Sequence, residues 1–202
     1  MKFAIDLSIV FLCGLVWAGL TAFLRLKKKK SIVYLMFFTI FYVYIVKVLD
    51  YTLFQFQSLL LLRYFMPDLV LNGQTAGENI NLIPLVTLAP PDLKTSLLNV
   101  LLLIPFGFGL PFITGLRMTK TVATGALFSI AIELLQLLTG LAARTTFRVA
   151  DVNDVIFNTA GAAAGYLLFI GFMRIYRYAF QKRGLPPNPI LRYIAERPQP
   201  EK

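Results

Sequence analysis

The sequence predicts an all-α fold: a polytopic transmembrane helix bundle of about five spans, N-terminus out and C-terminus in. Three observations carry this prediction. Of 202 residues, 57% are hydrophobic and 15% charged, with a mean hydropathy of +0.71, whereas soluble domains carry about a quarter charged residues. The apolar residues fall in blocks of about 20, the length at which a helix crosses the hydrocarbon core. Fourteen of the 20 Lys and Arg residues sit in three places beside those blocks: Arg25 to Lys30, the Arg117/Lys120 loop, and Arg174 to Lys202. Positive loops beside apolar spans orient a membrane protein with those loops inside.

The first span runs from about Phe3 to Leu24 and is followed at once by RLKKKK. A cleavable signal peptide has its charges before a shorter apolar region, so this run reads as an uncleaved anchor. The second span covers about Ile32 to Phe54, with Lys47 and Asp50 three apart near its outer end, placed to pair or snorkel. The third runs from Ser96 to Leu116, the fourth from Thr121 to Leu141 and the fifth from Val155 to Met173. Pro105, Gly107, Gly109 and Pro111 should loosen span three in mid-membrane. Gly161 and Gly165 stand in the spacing GAAAG, which lets helix backbones approach closely. The chain thus divides into two N-terminal anchors (1–54), an outer segment (55–95), a three-helix core (96–174) and a basic, Pro-rich cytoplasmic tail (175–202). The outer segment is partly apolar at first (QSLLLLRYFM), which suits an interfacial helix. Residues 184–202, with five prolines and five charges, read as flexible.

Composition also excludes functions. With no histidine and a single cysteine, Cys13, the chain cannot use His-ligated metal, Ser-His-Asp or Cys-His chemistry, or an internal disulfide. The net charge of +10 is distributed for membrane orientation, so no nucleic-acid partner is expected. Nor is any metal or other cofactor.

Polar side chains inside spans are expensive and mark functional sites by default. Given the topology, Asn99 lies about 5 Å inside the outer end of span three, Gln136 and Glu133 about 7 and 12 Å below that of span four, and Asn158 about 5 Å inside span five. Glu133 and Gln136 share a helix face. All four fall in the outer half, which predicts a polar pocket open to the outer face. Its rim is Arg148-Val-Ala-Asp151-Val-Asn-Asp154-Val-Ile-Phe-Asn158. Read as helix, it lines up Arg148, Asp151, Asp154 and Asn158 on one face. The bland reading is mutual satisfaction, with Arg148 bridging Asp151 and Glu133 neutral or held by Gln136 and Asn99. The functional reading is an amphiphile, its tail in the lipid. Arg148 suits a phosphate or carboxylate; Asp151 and Asp154 suit a cation or sugar hydroxyls.

Several motifs in order resemble the VanZ-like family: Asn81-Leu-Ile-Pro84, Asn99 followed by Ile-Pro105-Phe-Gly107, Glu133-Leu-Leu-Gln136, and Arg148 through Asp151, Asp154 and Asn158 to Gly161 and Gly165. Each is weak alone, and together they span roughly residues 79–170. The resemblance implies a small multi-pass protein of the bacterial cytoplasmic membrane. It also implies an association with low-level resistance to teicoplanin, a glycopeptide with a lipid tail. It supplies a context and no reaction. The positions it carries over as binding residues are Asn81, Asn99, Glu133, Gln136, Arg148, Asp151, Asp154 and Asn158.

The leading functional expectation is therefore non-enzymatic. The bundle binds lipoglycopeptide or a lipid-linked cell-wall intermediate at the outer leaflet, with membrane lipids as its other partners. One alternative is a membrane enzyme acting on a lipid or cell-wall head group, with Glu133 as the candidate catalytic acid or base and Arg148 stabilising charge. The other is a lipid flippase or proton-coupled transporter in which Glu133 carries the proton. Five spans without an inverted repeat suit that role poorly in a monomer, which a homo-oligomer would remedy.

Overall fold

The computed structural model describes residues 7–53, 64, 80–85, 92–143, 149–183 and 188–197. Among them are α1 (Leu7–Leu26), α2 (Ile32–Thr52), β1 (Ile80–Asn81), α3 (Asp92–Thr114), α4 (Met118–Ala143), β2 (Ala150–Asp151), α5 (Val152–Arg183) and α6 (Pro189–Ala195). The first five of these helices are long and apolar enough to cross a membrane, and the chain is a multi-pass membrane protein. The expected interfacial helix falls on residues 57–66, which, Tyr64 apart, lie outside the described residues.

The centre of the bundle is the pair α3 and α5. A Cβ added at Gly161 would overlap the Val100 carbonyl, one at Gly165 the Ile104 carbonyl, and one at Gly107 the Ala162 carbonyl. The two backbones therefore touch along the GAAAG stripe, as its spacing predicts. Helix α4 packs on α5, α2 on α3, and α1 lies outermost against α2. That last contact is stitched by Trp17 Nε1 donating to Thr39 Oγ1 at 3.0 Å and by the Tyr42 hydroxyl donating to the Cys13 carbonyl at 2.7 Å. Most side chains of α1 are exposed, as a lipid-facing anchor requires.

Along the bundle axis the interior is layered. Phe112, Tyr166, Phe169, Met173 and Ile194 form one apolar cluster. Leu103, Phe106, Leu110 and Ala162 form the next, with Phe106 stacked on Phe128 at 5.3 Å. Beyond them lies the polar end, where α2 and α4 finish and α3 and α5 begin. The basic clusters after α1, between α3 and α4, and at the end of α5 belong to the opposite end.

Helix α3 contains Pro105 and Pro111 in its interior. The structure departs from the sequence expectation in three places. Span five is longer than 155–173: α5 holds 32 residues, about 48 Å at 1.5 Å per residue, so it overruns a hydrocarbon core about 30 Å thick. Part of the tail is ordered, because α6 starts on an Asn188 cap with Pro189 in its first turn and buries Tyr193 and Ile194. Finally, β1 and β2 form a two-residue parallel ladder pairing Ile80 with Ala150 and Asn81 with Asp151.

Candidate functional site

The ladder changes how the rim is built. The rim is not helical from residue 148: residues 150–151 are extended and α5 begins at Val152. Asp151 is the residue just before that helix, and its Oδ1 accepts from Asn153 N at 2.7 Å, an N-cap arrangement that satisfies an otherwise orphaned donor. The same carboxylate accepts from Asn81 Nδ2 at 3.1 Å and from Asn153 Nδ2 at 2.7 Å. Asp151 thus ties β1, β2 and the start of α5 into one unit.

Asn153 completes that unit and is fully buried. Its Oδ1 accepts from Leu85 N, and its Nδ2 donates to the Ile83 carbonyl at 3.0 Å. Asn81 Oδ1 in turn accepts from Ile83 N at 3.1 Å. The 81–85 segment is held by side-chain amides where strand pairing stops. Sequence reasoning passed over Asn153 because a helical reading of the rim puts it off the shared face. The signal was available: Asn two positions after an Asp, at a helix start, is a capping pattern.

The carboxylates and amides below the rim link the long helices. Glu133 Oε2 of α4 accepts from Asp151 N at 3.0 Å. Asn99 Nδ2 of α3 donates to Asp154 Oδ1 of α5, and Asn158 Nδ2 of α5 donates to Ser129 Oγ of α4 at 2.9 Å. Gln136 Nε2 donates to the Thr52 carbonyl at the end of α2 at 3.0 Å. Asn99, Glu133, Gln136 and Asn158 are 3–7% exposed, so these bonds are made away from bulk solvent, where an unmade one is costly. Gln136 Oε1 and Asn158 Oδ1 are buried and accept no hydrogen bond among the described residues. Ser129 and Thr52, also buried, are partners the sequence did not single out.

Seven of the eight sequence-derived binding residues, Asn81, Asn99, Glu133, Gln136, Asp151, Asp154 and Asn158, thus lie at one end of the bundle. Arg148 lies outside the described residues. Where α2 approaches the polar end of the bundle, Lys47 pairs with Asp50 at 3.5 Å. Among the described residues no three His, Cys, Asp or Glu side chains are arranged for a metal ion.

Beside the polar cluster is an open groove of about 360 Å³. Glu133 and Asp151 line one part of it, while Ile130, Leu134, Leu137, Leu82 and Val155 line most of the rest. Ile130, Leu134 and Leu82 are exposed, so the groove opens sideways to the surroundings of the bundle. The surface of this trough is almost wholly apolar, and the Glu133 and Asp151 carboxylates stand at its edge, engaged in the hydrogen bonds of the polar cluster. It is chemically suited to a hydrocarbon tail that lies beside the polar end of the bundle.

A family model described as VanZ/LLP1 matches residues 9–175. No curated protein and no solved structure matches the chain. With most of its length matched, the chain belongs to the VanZ/LLP1 family.

Proposed function

We propose that this member of the VanZ/LLP1 family binds an amphiphile at the outer leaflet of the bacterial cytoplasmic membrane, and so contributes to glycopeptide resistance. The ligand class is a lipoglycopeptide such as teicoplanin or a lipid-linked cell-envelope intermediate. The observation that carries this reading is the contiguity of Glu133 and Asp151 with the apolar groove of Ile130, Leu134 and Leu137. The head group donates from an amine or from sugar hydroxyls to the carboxylates, while the tail lies along α4. Arg148, three residues before Asp151 in sequence, supplies a partner for an anionic part of the same head.

Glu133 is committed through Oε2 to the Asp151 backbone. That bond favours a holding role over a proton-carrying or acid–base one, because a shuttle must release its partner in each cycle.

The test is direct binding of purified full-length protein to teicoplanin, with tail-less vancomycin and a lipid-linked cell-wall precursor in parallel arms. Leu134→Trp fills the groove and leaves the polar network intact. It is expected to weaken binding of the lipid-tailed ligand by about ten-fold, the equivalent of roughly 1.4 kcal/mol. Glu133→Gln is expected to weaken it while insertion is retained. Affinity for both tailed ligands that is unchanged in both variants would overturn the reading.

A further inference from the structure

A second lipid-shaped feature lies at the other end of the bundle and does not depend on the site above. Tyr34, Phe37, Phe41 and Tyr44 follow one another on α2 at spacings of three, four and three, so they share one helix face. That face, with Ile40 at its edge, forms one wall of a groove of about 320 Å³ whose other wall is Phe108 and Phe112 of α3 and Phe172 of α5. The groove extends over Phe37 to Tyr44, about 10 Å along the helix axis. Ile194 of α6 closes its end. Ile40, at 61% exposed, marks its open side.

Positive charge gathers where α6 closes the groove. The Arg197 guanidinium stacks over Tyr193 at 4.1 Å, and Tyr193 stacks on Phe37. Arg177 Nη2 donates to the Arg197 carbonyl at 3.0 Å, and Tyr34 is within Coulombic reach of Arg197. Lys30 Nζ sits over the Tyr34 ring at 4.8 Å. Three cations from three segments of the chain thus meet at one mouth. Glu196, the nearby carboxylate that caps the C-terminus of α6, is engaged by Arg192 at 3.1 Å.

A guanidinium has five N–H donors. Arg197 spends Nη1 on the Phe112 carbonyl and Nε on the Tyr193 carbonyl. Its Nη2, like Nη1 of Arg177, makes no hydrogen bond among the described contacts. Both remain for an oxyanion.

We infer that this groove is a specific site for an anionic glycerophospholipid, its phosphate on Arg177, Arg197 and Lys30 and one acyl chain against the aromatic wall of α2. The complementarity is double: a phosphodiester meets a cationic mouth, and the chain that must follow it into the membrane meets an apolar trough of matching direction. A zwitterionic lipid carries its own cation into that mouth and is disfavoured.

The test is native mass spectrometry of the full chain released from nanodiscs of equal phosphatidylglycerol and phosphatidylcholine, with added glycerol phosphate as a soluble competitor. Phosphatidylglycerol is expected to be retained over phosphatidylcholine by about ten-fold, and glycerol phosphate is expected not to displace it. Retention is expected to fall to the phosphatidylcholine level in the double variant Arg177→Gln/Arg197→Gln. Because Arg197 also anchors α6, Ile40→Trp provides the second arm: it blocks the groove from its exposed side, leaves both arginines in place, and is expected to lower retention as well. Equal retention of the two lipids, full displacement by glycerol phosphate, or undiminished retention in Ile40→Trp would each overturn the assignment.

Discussion

Asp151 and Asn153 show how two side chains organise the polar end. Asp151 accepts from three donors and Asn153 bonds two backbone groups of the 81–85 segment. Asn153→Ala removes the partners of Leu85 N and of the Ile83 carbonyl; both residues are exposed, so each lost hydrogen bond costs about 0.5–1.5 kcal/mol. The expected result is a lower thermal midpoint together with faster proteolysis within residues 80–85. Asn153→Asp keeps an acceptor for Leu85 N but sets a second carboxylate beside Asp151. Like charges favour the protonated form in the fold, so that variant binds a proton more tightly folded than unfolded. Its stability is greatest in acid and falls as pH rises towards neutrality. Thermal midpoints for the variant at acid and neutral pH, against those of the parent, measure the sign. A variant equally stable at both pH values relative to the parent would show that the two side chains do not face each other.

At the scale of elements, the α3–α5 contact carries the bundle because its glycines let carbonyl-bearing backbones meet. Gly161→Leu drives a side chain into the Val100 backbone, which cannot yield as a flexible side-chain tip would. Overpacking of this kind costs about 1–3 kcal/mol, and the expected outcome is loss of monodisperse protein after detergent extraction. Gly19→Leu is the control, since no atom lies within 4 Å of the added Cβ on α1, and it is expected to behave as the parent. The close pair was legible because GAAAG states it in five residues, and the five spans were legible because apolar composition over 20 residues is a strong, local signal. The far end of α5 was less so: past Met173 its turns mix Arg and Lys with Tyr and Phe, which blurs a boundary set by hydropathy. Helix α6 hid among prolines, although Asn188-Pro189 is itself a helix-start signal. The β1–β2 ladder pairs two-residue segments 70 positions apart, a contact with no local pattern to betray it. The site residues were visible individually, since a carboxylate or amide in an apolar span stands out. Which of them bond to which depends on helix packing that the spacing does not encode.

At the scale of the molecule, charge separates the two ends. Among the described residues, Lys27 to Lys30, Arg117, Lys120, Arg174, Arg177, Arg192 and Arg197 belong to one end, whereas Glu133, Asp151, Asp154, Asp50 and Asp92 share the other with Lys47 and Lys94. Loops rich in Lys and Arg stay on the cytoplasmic side, so this separation predicts an orientation with the groove beside Glu133 and Asp151 towards the outside. The orientation is measurable with single cysteines on a Cys13→Ser background. Leu82→Cys places a thiol at a residue 74% exposed beside the acidic cluster. Glu196→Cys places one at the end of α6, among the arginines. A membrane-impermeant maleimide applied to intact cells is expected to label the first and spare the second, and permeabilisation is expected to expose the second. The reverse pattern would turn the groove to the cytoplasm, where an extracellular lipid-tailed antibiotic could not meet it without crossing the bilayer. The amphiphile reading would then fall together with the topology. The anionic-lipid groove would survive, since its argument needs only a cationic mouth and an apolar trough, whichever leaflet they face.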